Sequence, residues 1–164
     1  MNVRKATASD ASQIVAVMKD AEASGFMLFD PDERKLTAEQ FEKYIEAINN
    51  KHNAAIFVAT EEEKILGYII VQGETPNRIA HRAYIAIGVH SASRGKGAGT
   101  SLFGHAEQWA KEAGIQRLEL TVIKHNEAAY HLYEKMGFEV EGVKVKSLKI
   151  DGEYVDEYYM AKMI

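Results

Sequence analysis

The sequence predicts a mixed α/β fold, a mostly antiparallel central sheet flanked by helices. Three observations carry that expectation. Two amphipathic stretches of helical period come before the first long β-rich run, so helices and strands interleave along the chain. Two β-rich runs, Ala54–Thr60 and Lys64–Gly73, are separated only by a short acidic turn and read as a hairpin. One long amphipathic stretch, Gly97–Ala113, lies between two strand runs and makes a helical crossover, the connection that parallel neighbours require.

The elements follow in order. Asn2–Ala6 is a short first strand. Ser9 or Asp10 caps a helix on which Ile14, Val17, Met18 and Ala21 keep helical spacing. Ser24–Leu36 has no period and reads as a loop. Thr37 and Gln40 form a capping box ahead of Phe41, Tyr44, Ile45 and Ile48. Beyond the hairpin, a third strand runs from about Ile79 to His90 and ends in a serine- and glycine-rich loop. On the crossover helix Leu102, Ala106, Trp109, Ala110 and Ala113 share one face, and Gly114 is its stop. Leu118, Leu120 and Val122 alternate through the next strand. Asn126 caps a helix ending at Gly137, Phe138 starts the following strand, and Asp151-Gly152 turns a last hairpin.

Length and composition bound the function. The 164 residues are expected to form one domain, 1–164, with no repeat or linker. A formal net charge of -4 argues against a dedicated nucleic-acid-binding domain, which is usually basic. The absence of cysteine excludes a disulfide framework, a thiolate zinc site and an acyl-cysteine mechanism. No run approaches the roughly 18 apolar residues of a membrane span, and Met1–Asp10 lacks the pattern of a signal peptide. The expected location is cytoplasmic, with no membrane partner. His125 and His131 are six apart and no histidine pair falls at i, i+4 on a helix, so no metal is expected.

Ser93-Arg94-Gly95-Lys96-Gly97-Ala98-Gly99-Thr100 lies between a strand and a helix, where backbone N–H groups and the helix dipole converge on an anion. The spacing fits neither the P-loop nor the dinucleotide fingerprint. It matches Arg-x-x-Gly-x-Gly through Arg94, Gly97 and Gly99. Further on come Leu118-Glu119-Leu120-Thr121-Val122, Asn126, Ala129, Leu132-Tyr133-Glu134-Lys135 and Gly137-Phe138. Together, and in this order, the two motifs resemble the acyl-CoA loop and the following strand–helix unit of the GNAT family of N-acetyltransferases. The resemblance covers Ile79–Gly142 well.

That resemblance implies a sheet whose two central strands splay apart to admit acetyl-CoA as cosubstrate. It implies that the pantetheine arm bonds the backbone at Ile87 and Val89, with Gly88 marking a bulge or a close ligand approach. The amides of Gly95, Lys96, Gly97, Ala98, Gly99 and Thr100 are then expected to hold the pyrophosphate, with charge from Arg94 and Lys96. Asn126 is expected to bond the pantetheine, and reads equally well as a helix cap; Ala129 and Tyr130 are expected to pack on the cofactor. Tyr133 is the expected general acid, since a phenol of pKa about 10 is protonated at neutral pH and can donate to the leaving thiolate.

The base is less marked. Some relatives carry a glutamate five residues before the motif asparagine, and here that position is Thr121. Glu119, about 7 Å away on the same strand face, is the fallback, and His90 and Tyr84 compete with it. The implied reaction is direct acetyl transfer from acetyl-CoA to a primary amine in a ternary complex. The alternative is a catalytically silent acyl-CoA sensor or assembly module of the same fold. Acidic and aromatic residues fall in the two segments that shape the acceptor site in this family: Phe26, Phe29, Asp30, Asp32 and Glu33, then Glu153, Tyr154, Asp156, Glu157 and Tyr158. They suit a small cationic amine such as a polyamine, and a protein N-terminal amine is the other acceptor. A homodimer is the expected assembly.

Overall fold

The structure, a computed structural model, describes residues 1–164. Its elements are β1 (Asn2–Lys5), α1 (Ala11–Glu22), α2 (Ala38–Asn49), β2 (Ala54–Glu61), β3 (Lys64–Gly73), β4 (Arg82–Val89), α3 (Ala98–Glu112), β5 (Arg117–Ile123), α4 (Glu127–Lys135), β6 (Glu139–Ile150) and β7 (Glu153–Met163). All seven strands join in one sheet of order β1-β2-β3-β4-β5-β7-β6. Every neighbouring pair is antiparallel except β4 and β5, which the α3 crossover makes parallel. The mixed, mostly antiparallel sheet with flanking helices is therefore as the sequence predicts. No helix is long and apolar enough to cross a membrane.

Local chemistry sets the boundaries. Thr37 accepts the Gln40 N–H through its hydroxyl, and the Gln40 side chain accepts the Thr37 N–H, so the box that starts α2 is complete. Asp10, one of the two expected caps, stands at the cap position of α1, but its side chain bonds no α1 amide. Its carboxylate instead accepts the Thr7 N–H at 2.8 Å, and Thr7 leads into a one-turn 3-10 helix, Ala8–Asp10, so helical turning begins two residues before Ser9. The third strand begins at Arg82, because Asn77–Ile79 behind Pro76 is another one-turn 3-10 helix. Phe138 does not open β6. It is buried against Phe103, with ring centroids 5.6 Å apart. Asp151 (φ 51°) and Gly152 (φ 82°) both take the left-handed conformation that a two-residue hairpin turn needs.

Two cores form on opposite faces of the sheet. Ile14, Val17 and Met18 of α1 and Phe41, Ile45 and Ile48 of α2 cover Ile56, Val58 and Tyr68. Leu102, Phe103 and Ala106 of α3 cover Phe57, Ile69, Val71, Ile85, Leu118 and Leu120. Strands β2 and β3 face a core on both sides, which explains their near-continuous apolar runs. Truncating a fully buried side chain such as Ile45 or Leu102 to alanine costs about 2–5 kcal/mol. Along β4, β5 and β7 the face opposite the α3 core is open at Tyr84 and Tyr159, which stand exposed on it.

Candidate active site

The site begins where β4 and β5 part. Their register holds only Arg82↔Arg117, Ala83↔Leu118 and Tyr84↔Glu119. Beyond it Ile85–Val89 and Leu120–Ile123 continue without pairing to each other, so backbone groups on the β5 side of β4 are free to meet a ligand. Ile87 and Val89 turn their side chains toward the α3 core and present that backbone. Gly88 departs from expectation. The β3–β4 register runs unbroken past it, so there is no bulge. A Cβ there would lie 2.6 Å from the Tyr68 ring, so it is a tyrosine of β3 that requires the glycine.

The turn after β4 is built from backbone. The Nδ1 of His90 accepts the Ala92 N–H at 3.1 Å and caps a one-turn 3-10 helix, Ser91–Ser93. Gly95 (φ 75°) and Gly97 (φ 87°) then adopt left-handed conformations that favour glycine, and α3 starts at Ala98. The Ser101 N–H is the first returned to the chain, to the Gly97 carbonyl at 3.0 Å. The amides of Ala98, Gly99 and Thr100 thus point out of the helix N-terminus, beside the exposed Arg94 and Lys96. This donor set fits a diphosphate: free amides, a helix dipole and two cations. Gly99 has an added packing duty, because a Cβ would come within 2.8 Å of Leu132 Cδ2 on α4.

Asn126 caps α4, its side-chain oxygen accepting the Ala129 N–H at 3.3 Å, so its amide group keeps both donors. Tyr130 and Tyr133, three residues apart on α4, differ in burial. Tyr130 is half-buried, its ring tilted against Tyr158 with centroids 5.5 Å apart and its hydroxyl bonded to Glu134 at 3.4 Å, and the Glu134 charge raises its pKa. Tyr133 is buried against Phe103, centroid to centroid 5.7 Å. Burial, with the neighbouring Tyr84 and Tyr68, holds its phenol well above the usual tyrosine range, so it is protonated at neutral pH. Its hydroxyl makes no hydrogen bond within the protein, and no sealed side-chain polar atom is left unpaired, so this oxygen keeps a path to solvent.

The base candidates are each engaged. Glu119 stands at the last paired position, 3.3 Å from Arg82 and 3.7 Å from Arg117, whose stronger partner is Glu141. Tyr84 meets Thr121 at 2.9 Å, bridging the vertex of the splay hydroxyl to hydroxyl. His90 is held between the Ala92 N–H and the Asp20 carboxylate, 3.5 Å from its Nε2. The Ala23–Thr37 loop faces the β6–β7 hairpin across a cleft of about 350 Å³, lined by Phe29, Asp30 and Glu33 against Lys149 and Asp151. Asp156 and Glu157 instead brace an irregularity in β6, accepting from the Lys146 N–H at 2.7 Å and the Ser147 hydroxyl at 2.8 Å.

The family model for the acetyltransferase (GNAT) family matches residues 10–138. The chain belongs to the GNAT family. A GNAT acetyltransferase from Streptococcus pneumoniae superposes with a TM-score of 0.94 and 31% identity, covering 99% of each chain. The L-amino acid N-acetyltransferase AaaT of Escherichia coli is 33% identical over 110 residues, 65% of this chain and 66% of that enzyme, just under two thirds of its length. A spermidine N(1)-acetyltransferase of Escherichia coli is 35% identical over 83 residues, covering 48% of this chain and 42% of that one. Within the GNAT frame, three groups near the splay have no signal in the linear sequence. Tyr68 lies over Gly88, and burial pushes its phenol up to about 12. Glu22 and Arg34 form a largely buried ion pair that anchors the Ala23–Thr37 loop, with Arg34 over the Phe29 ring at 4.8 Å. Asp20 reaches the turn after β4. All three contacts join residues distant in the chain.

Proposed function

We propose that this chain transfers the acetyl group of acetyl-CoA directly to a primary amine in a ternary complex, with a small cationic amine as acceptor. The observation that carries the reading is the end of β4–β5 pairing at Tyr84 and Glu119, beside a turn of free amides. The turn from Arg94 to Thr100 binds the pyrophosphate, Ile87 and Val89 orient the pantetheine through their backbone, and the Asn126 amide supplies a further donor. Acetyl-CoA brings an activated thioester carbonyl to the splay. The amine lone pair forms the new C–N bond there as the C–S bond breaks. Tyr133 donates its phenolic proton to the departing sulfur, and Glu119 takes the amine proton through water. His90 shapes the turn instead of serving as base, because both of its ring nitrogens face partners.

The acceptor assignment rests on the cleft between the Ala23–Thr37 loop and the β6–β7 hairpin, where Asp30, Glu33 and Asp151 outnumber Lys149. Such a site attracts a cation, and Phe29 adds an aromatic face. A relative named for spermidine acetylation agrees with this choice, while one named for L-amino acids supports a zwitterionic competitor. A second copy of the chain has its natural place on the free outer edge of β6, where Val140, Val143 and Val145 are exposed. The test is CoA-thiol release with a panel of polyamines, amino acids and N-terminal peptides. Polyamines are expected to give the highest kcat/KM. Acetyl-CoA binding without turnover on any amine makes the chain a silent sensor and overturns the reading.

A further inference from the structure

α1 and the turn after β4 meet at one carboxylate. Asp20, two residues before the end of α1, accepts the Ser91 N–H on one oxygen at 2.6 Å and the Ser91 hydroxyl on the other at 2.8 Å. His90 brings its Nε2 to 3.5 Å of the same carboxylate while its Nδ1 holds the Ala92 N–H. The root of the turn, His90–Ala92, is thereby fixed from one side by a side chain of another element. Arg94 follows at once, and its charge also falls on Asp20. Burial raises the Asp20 carboxyl, but the two Ser91 bonds, the adjacent His90 ring and the Arg94 charge bring it below the usual carboxylate range. Asp20 is therefore an anion at neutral pH.

The same helix end holds the acceptor side. Two residues beyond Asp20, Glu22 pairs with Arg34 across the Ala23–Thr37 loop. A turn with left-handed glycines at 95 and 97 carries conformational freedom that a ligand must remove. A fixed root leaves less to remove. We infer that Asp20 is a positioning residue: by holding both donors of Ser91 it sets the direction in which the Arg94–Thr100 turn departs, and through α1 it couples CoA binding to the wall of the acceptor cleft. This rests on the reading of that turn as the pyrophosphate site.

The test uses the full chain and the variants Asp20→Asn, which keeps the shape and one acceptor, and Ser91→Ala, which keeps the N–H. Calorimetry with CoA is expected to give dissociation constants about tenfold weaker for each, the size of one lost charge-assisted hydrogen bond. The double variant is expected to be no weaker than the worse single one, since the two act through one contact. Amide exchange without ligand is expected to quicken across residues 90–100 and to stay unchanged in β2 and β3. The KM for the amine, at saturating acetyl-CoA, is expected to rise with the CoA constant. Folded variants that bind CoA like the wild type overturn the proposal, even if their melting temperature falls. Should Asp20→Asn fail to fold, Ser91→Ala decides alone. Wild-type protein that binds no CoA removes the reading of the turn, and the proposal with it, before any variant is compared.

Discussion

At Tyr133 a single oxygen separates chemistry from packing. The ring lies in the α3 core against Phe103, and the hydroxyl has no partner in the protein to lose. Tyr133→Phe is therefore expected to leave the melting temperature within a few degrees of wild type and CoA affinity within about tenfold. Turnover is expected to fall by about 10²–10⁴ if the phenol is the general acid. Rapid-quench measurement of the chemical step checks this, because slow product release hides such a loss. Turnover per folded molecule that stays intact assigns the proton to water or another donor. Glu119→Gln belongs beside it: loss of the base is expected to lower kcat/KM by about 10²-fold and to remove the acid limb of the pH–rate profile. Tyr133 could be singled out in the sequence as a candidate because it sits in the motif that resembles the family, on one helix with Asn126. Tyr68 could not, since its place over Gly88 depends on β3–β4 register, and Gly88 taken alone points to a bulge or a close ligand approach instead.

Elements show the same division between local and distant causes. The α2 capping box, the stop after α3 and the Asp151-Gly152 turn are written in neighbouring residues, and the structure has them where the sequence places them. The start of α1 was less legible, because the Asp10 carboxylate also serves Arg4 on β1, at 2.7 and 2.8 Å, and a strand six residues away draws the cap back toward Thr7. The glycine turn separates into two parts on this view. Gly97 has open space around a would-be Cβ and a φ of 87°, so Gly97→Val adds backbone strain of about 1–2 kcal/mol and places a branched side chain beside the free amides. Its CoA affinity is expected to drop at least tenfold while most of the protein stays folded. Gly99→Ala acts elsewhere, driving a methyl into Leu132. Its melting temperature is expected to fall, and Leu132→Ala in the same chain is expected to return part of the loss. Equal effects of the two glycines on CoA binding and stability contradict this division.

The whole molecule responds to ligand and acid through the same contacts. CoA at a hundredfold excess over its dissociation constant stabilises a binding-competent fold by about 2.7 kcal/mol, so the melting temperature is expected to rise with CoA and to rise less with NAD at matched concentration. Asp10, bonded to Arg4 and to the Thr7 N–H, is held below its ordinary pKa, and Asp20 and Glu107 are lowered against the opposing effect of burial. Groups of this kind contribute stability that is complete above the unfolded carboxylate pKa of about 4 and is lost as pH falls through the lower folded values. Urea midpoints are expected to hold near neutrality and to fall below about pH 4, and Asp10→Asn is expected to shallow that fall. A flat midpoint down to pH 3 contradicts it. The three rungs between β4 and β5 carry one more consequence, which is mechanical. The sheet is a four-strand panel and a three-strand panel sewn along a short seam, with α3 as the only covalent strap across it. Handles on β3 and β7 load that seam, while handles on β2 and β3 load an eight-rung ladder, so the molecule is expected to yield at lower force in the first geometry.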